Sequence, residues 1–132
     1  MKSDNFQLGK GYSRSDIYGI LSVPEEFRGG DWHTGYRLWG ETFFVFCNLG
    51  ISGRTGHDYD NQLVGKYLHW YAKNGSRLFH RQIQLLLSPD TEVLIFGRSE
   101  DRAPFDFLGA AEPLSYQDAT DELPVFVLWG LG

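Results

Sequence analysis

The chain has 132 residues, 42% of them hydrophobic and 22% charged, enough for one domain with a core of its own and too few for two. No apolar run approaches the roughly 20 residues needed to cross a bilayer, the stretch MKSDNFQLGKGYSR lacks the apolar centre of a signal peptide, and a single cysteine excludes an internal disulfide, so a soluble protein of a reducing cytoplasm, with no membrane partner, is expected. The net charge of −5 speaks against a polyanion partner, yet residues 1–81 carry ten Lys/Arg against eight Asp/Glu while residues 82–132 carry two against nine; a locally basic face and a merely solvated acidic edge both stay open.

In chain order, YSRSDIYGILSV offers Ser13 as an N-cap with Asp16 three residues later and Ile17, Ile20 and Leu21 on one face, a short helix ended by Pro24. EEFRGGDWHTGY is a glycine-rich loop leading into YRLWGETFFVFCNL, a pair of strands around Gly40 and Glu41. Cys47, between Phe46 and Asn48 in the second of these strands, reads as a buried thiol rather than a nucleophile. SGRTGHDYDNQ, residues 52–62, is a polar loop that either turns in solvent or presents side chains to a ligand. VGKYLHWYAK alternates as one strand, broken by the Asn74-Gly75 pair. SRLFHRQIQLLLS carries Leu78, Phe79, Ile83, Leu86 and Leu87 at helical spacing, capped by Ser76 and ended near Pro89. TEVLIFGR, FDFLGAAEP and PVFVLWGL complete the chain as three more strands. The sum is a single α+β domain built on a curved or barrel-like mixed sheet of about six strands with two short helices. Such a sheet has a concave mouth, where small ligands or single bases bind.

The blocks YSRSDI (12–17), FFVF (43–46), DYDN (58–61), LHWYAKN (68–74), VLIFGR (93–98), FDFLG (105–109) and PVFVLW (124–129) run in order through most of the chain. In this series the chain resembles a PUA-like domain, related to SRA, EVE and YTH domains, that is found beside helicase or HNH-nuclease modules in bacterial restriction and defence proteins. The resemblance implies a fold shared with base-flipping readers of modified DNA and RNA. It supplies no binding residues, and it points to a nuclease or helicase as partner protein.

Readers of one base stack it between aromatic faces while polar groups contact its edge. Trp32 and Tyr36 lie in the glycine-rich loop, where each is either a pocket wall or an ordinary loop anchor, and Trp39 is intermediate. Trp70 and Trp129, in alternating strands, read as packing. In the polar loop, Tyr59 either covers a pocket or lies flat on the sheet, and Asp58, Asp60 and Asn61 supply acceptors and an amide able to read a base edge; the same Asp and Asn are also ordinary turn formers. The expected arrangement is a base pocket with this loop as one wall and Trp32 and Tyr36 in the other. Arg54, Lys66, Lys73, Arg77 and Arg81 are the candidates for phosphate contacts, each of them also readable as a plain surface charge.

Catalysis is disfavoured. His57 beside Asp58, with His33 and His69 elsewhere, contains ingredients of acid–base or metal chemistry, but no metal-ligand spacing, phosphate loop or nucleophile elbow accompanies them. No cofactor or metal is expected. The expectation is a non-catalytic domain that recognises nucleic acid, DNA in preference to RNA, with a modified base flipped into an aromatic pocket. A protein-interaction module of a defence complex and a small His/Asp-dependent nuclease or hydrolase remain the alternatives.

Overall fold

The computed structural model describes residues 2–50 and 61–132. At its centre two strands, β3 (Thr42–Asn48) and β6 (Glu92–Arg98), run parallel in a register that sets Thr42 opposite Glu92 and Asn48 opposite Arg98. Both are near-continuous apolar runs, the pattern of strands covered on two faces. Alternation sends Phe43, Val45, Cys47, Val93 and Ile95 into one core and Phe44, Phe46, Leu94 and Phe96 into another.

β2 (Tyr36–Trp39) forms the expected hairpin with β3 through Gly40 and Glu41. Beyond β6 the order continues antiparallel through β7 (Phe105–Gln117), β8 (Phe126–Leu131), β5 (Tyr67–Tyr71) and β4 (Gln62–Val64). The two-residue strand β1 (Gly11–Tyr12) pairs with β7 at Phe105 and Asp106. A parallel bridge from Leu49 to Asn61 brings the start of β4 back to the end of β3, so the sheet curls round the first core. The architecture is α+β as expected, a curved mixed sheet with two short helices.

The described sheet has eight strands, the additions to the expected six being β1 and β4. VGKYLHWYAK is not one strand. Gly65 adopts a left-handed φ of +61° and the chain reverses at Gly65-Lys66, leaving β4 and β5 as a hairpin.

The first helix, α1 (Arg14–Leu21), starts with the capping box read from the sequence: the Asp16 amide donates to Ser13 Oγ at 3.0 Å and the Ser13 amide to Asp16 Oδ2 at 2.9 Å. It buries Ile17 and Tyr18 in the second core beneath Trp32. The second helix, α2 (Arg81–Leu86), is shorter than expected. Ser76 does not cap it; that hydroxyl is buried and accepts from the Val125 amide at 3.4 Å, tying the approach to β8 to the end of β5. Phe79, expected on the apolar helix face, precedes the helix and is 70% exposed. Ile83 and Leu86 close the first core against Trp70 and Trp129, which pack as their strand pattern predicts.

β7 is 13 residues long and serves both halves of the sheet by bending at two irregularities, at Leu108 and Leu114. Each extra leucine lies over a glycine of the next strand. A Cβ on Gly97 would stand 2.9 Å from Leu108 Cδ1 and 3.0 Å from Leu49 Cδ1, and one on Gly130 would stand 3.1 Å from Leu114 Cδ1. Gly97→Ala should therefore cost about 1–3 kcal/mol through overpacking, read as a lower midpoint in equilibrium denaturation.

Candidate functional site

Four expected site residues, Arg54, Asp58, Tyr59 and Asp60, lie outside the described residues, as does His57 of the disfavoured catalytic reading. The ends of that loop are fixed. Asn61 Oδ1 accepts from the Tyr71 amide at 3.0 Å, and the Asn61 carbonyl accepts from the Gly50 amide at 3.0 Å. The loop thus leaves from the carboxyl end of β3 and returns beside the carboxyl end of β5.

Trp32 and Tyr36 do not face each other. Trp32 is 0% exposed in the second core, with its Nε1–H donating to the Phe27 carbonyl at 2.9 Å and its ring edge-on to Tyr18. Tyr36 is 2% exposed in the first core, on the opposite face of the sheet, and burial pushes its phenol up to about 12. Two faces of one sheet cannot be facing walls, so the pair is a correction to the expected pocket: the glycine-rich loop drives Trp32 inward as a plug over Phe44 and Phe46. Trp39 is half-buried between Trp32 and Phe27.

The expected phosphate contacts are also dispersed. Lys66 sits in the β4–β5 turn, at the far end of β5 from Asn61. Lys73 is engaged: its ammonium pairs with Asp31 at 3.0 Å and lies 4.4 Å from the Tyr36 ring centroid. Arg77 Nη1 donates to the Ser76 carbonyl at 2.9 Å, and Arg81 is exposed at the first residue of α2.

A different basic cluster gathers at the carboxyl ends of β3 and β6. β1 sets Tyr12 opposite Phe105, so Arg14, two residues on and the first of α1, projects over that ring with its Cζ 4.9 Å from the Phe105 centroid and 5.3 Å from that of Phe46. Its Nε–H donates to the Trp32 carbonyl at 2.7 Å. Arg98, the last residue of β6, lies over the same Phe105 at 4.2 Å. It is held by Asn48 Oδ1 at 2.9 Å, by the Ala103 carbonyl at 3.1 Å and by Asp101 at 3.7 Å. Burial, and then the Arg98 charge, hold the Arg14 pKa below its ordinary value. His33 adjoins: the Tyr18 hydroxyl lies 3.4 Å from its Nε2, and burial followed by the Arg14 charge lowers its pKa. Neither arginine stands out in the sequence, where one reads as the start of a helix and the other as the end of a strand. The local signal is that each lies within one of the blocks quoted above, Arg14 in YSRSDI and Arg98 at the end of VLIFGR.

Cys47 is buried, its thiol pushed up to about 12 by desolvation and directed at the Phe96 carbonyl, 3.7 Å away. Among the described residues no three His, Cys, Asp or Glu side chains gather as a metal site, and no histidine is bonded to a carboxylate. No described helix is long and apolar enough to cross a membrane.

A family model described as a domain of unknown function, DUF3427, matches residues 6–126. Comparison with curated proteins gives no match. Among solved structures the chain is similar to a protein titled DNA modification-dependent restriction endonuclease AspBHI, with a TM-score of 0.58 and 15% identity, over 98% of this chain and 43% of that one. At that identity the likeness is one of fold, and this chain spans less than half of the other's length.

Two outcomes follow from these placements. Trp32→Ala should cost about 3–5 kcal/mol of stability as a lost core side chain, seen as a fall in thermal midpoint. The hydrogen bond from Lys73 holds the Asp31 carboxyl below its ordinary value of 3.8, so the stability it contributes is complete above that value and is lost as pH falls through the lower folded one. Asp31 is 44% exposed, which limits the effect: Lys73→Met should cost about 0.5 kcal/mol at neutral pH, with the difference from wild type vanishing in strong acid when both are followed by denaturant midpoint.

Proposed function

We propose that this chain, which belongs to the DUF3427 family, is a non-catalytic DNA-recognition domain of a restriction or defence system, with a PUA-like fold that reads a modified base. The observation that carries the reading is the pair of arginines, Arg14 and Arg98, with His33 beside them, at the carboxyl ends of β3 and β6, the parallel strand pair among the described residues, from which the polar loop 52–62 departs. The carboxyl ends of parallel strands are a usual place for ligands in open sheets, and local positive charge governs encounter with a phosphate backbone whatever the net charge. The fold likeness to a protein titled as a DNA modification-dependent restriction endonuclease supports DNA over RNA and a modified base over sequence alone.

In this reading the base is flipped out of the duplex and met by the loop. Tyr59 supplies the stacking face, and Asp58, Asp60 and the Asn61 amide contact the base edge, since Asn61 Oδ1 is already engaged by the Tyr71 amide. Arg54 and the arginines at the loop's base contact phosphates, whereas Trp39, opposite Thr42 at the amino end of β3, lies away from them. Trp32 and Tyr36 support the site from inside the two cores. The chemistry of cleavage or unwinding belongs to a nuclease or helicase partner.

The test is a binding series of short duplexes that share one sequence and differ only in cytosine or adenine modification, with unmodified DNA and RNA beside them. One modified duplex should bind at least about tenfold more tightly than its unmodified parent, the discrimination expected of one good base-edge contact, and every duplex should be recovered chemically unchanged. Equal affinity across the whole series would refute the reading.

A further inference from the structure

Arg14 and Arg98 come from distant parts of the chain, yet both guanidinium groups converge on Phe105, at 4.9 and 4.2 Å from its centroid. Cation–π attraction to one ring offsets part of their mutual repulsion, and Asp101, 3.7 Å from Arg98, balances charge on that side only. Arg98 is the fixed member, its Nε donating to Asn48 and its Nη1 to Ala103. Arg14 is different. Its Nε–H is used on the Trp32 carbonyl, and among the described residues neither a carboxylate nor any further acceptor meets its Nη groups. A half-buried guanidinium anchored through Nε, with its Nη groups unmet among the described residues and a second cation beside it, is arranged to receive an anion with two oxygens in one plane.

We propose that Arg14 and Arg98 form a clamp for a single phosphate group, with Phe105 as the spacer that sets their separation and Arg14 supplying the bidentate edge. The occupant is a phosphodiester of the nucleic-acid backbone, and that part of the inference rests on the DNA-recognition reading above; the clamp itself requires only phosphate chemistry. Its position at the base of the loop 52–62 makes it a register point: a phosphate fixed here sets which nucleotide lies under the loop. Lys66, Lys73, Arg77 and Arg81, on other parts of the fold or already paired, contribute at most to general attraction.

Two titrations test this. In the first, inorganic phosphate is added to the free protein while the arginine Nε–H signals are followed by NMR. The Arg14 and Arg98 signals should saturate with one midpoint, and in Arg14→Gln, which keeps a donor within reach of the Trp32 carbonyl, Arg98 should cease to respond. In the second, affinity for one unmodified duplex is measured across a salt series. Arg14→Gln should lower affinity about tenfold and reduce the slope of log affinity against log salt by about one, whereas Arg14→Lys should keep the slope and still lose affinity. Thermal midpoints near wild type confirm that the variants are folded. An Arg98 signal that responds equally in Arg14→Gln, or a salt slope that Arg14→Gln leaves unchanged, overturns the clamp. A response to inorganic phosphate without any effect of Arg14→Gln on the duplex overturns the backbone phosphodiester as occupant. Failure of the modified-base reading would look different: all duplexes would bind alike while the Arg14 effects persisted.

Discussion

The parallel pairing of β3 with β6 is the constraint on which the rest of the molecule depends. Two adjacent strands that are apolar on both faces must be covered twice, and a 132-residue chain has little material for two coverings. The solution is asymmetric. One face is covered by α1, the Trp32 turn and the N-terminal segment, an assembly rich in aromatic rings: Phe6, Phe44, Phe96 and Phe107 meet at centroid distances of 5.1–6.2 Å. The other is covered by the sheet itself, which curls through the two irregular points of β7 until β8 and β5 lie over it, with α2 closing the gap. Leu108 over Gly97 and Leu114 over Gly130 allow that curl, since a strand with a side chain at either glycine would hold its neighbour off.

The same pairing explains why charge collects where it does. Parallel strands end together, so Asn48 and Arg98 are in register at one edge of the sheet, and the chain segments leaving them must diverge. β1 and the start of α1 fill the space beside Phe105, and the loop from Gly50 to Asn61 starts and finishes there. An arginine at a strand end and an arginine in the first turn of a helix, each unremarkable alone, become neighbours because Phe105 pairs with β1 on one side and adjoins the end of β6 on the other. Arg14 is poorly placed for its own helix, since a positive charge at the first turn opposes the helix dipole; the capping box supplies the acidic group that the turn requires.

Features governed by near neighbours were legible in the sequence. The Ser13–Asp16 box, the Gly40-Glu41 reversal and the central strands depend on spacing within a few residues, and each is present at the expected place. Features decided by distant partners were not. Trp32 sits among glycines and acids, a context that suggests exposure, but the apolar surface of Phe44 and Phe46 draws it inside. Ser76 has the look of a helix cap and is taken instead by the Val125 amide, 49 residues away in sequence and beside the end of β5 in the fold. Gly65 marks a turn only once β8 is present to pair with β5. The charged candidates fared likewise, because an isolated Lys73 reads as a surface cation until Asp31 and Tyr36 are placed against it.

The central claim is that nucleic acid engages the carboxyl ends of β3 and β6. Amide hydrogen exchange of the whole chain, with and without a short duplex, tests it most directly. The account predicts added protection at Asn48 to Asn61, around Arg14 and around Arg98, with none in the open groove of about 540 Å³ at the opposite end of the sheet, lined by Lys66, Tyr67, Leu114 and Gly130. Protection confined to that groove, or to the outer face of β5 and β8, with the Arg14 and Arg98 segments unchanged, would contradict it.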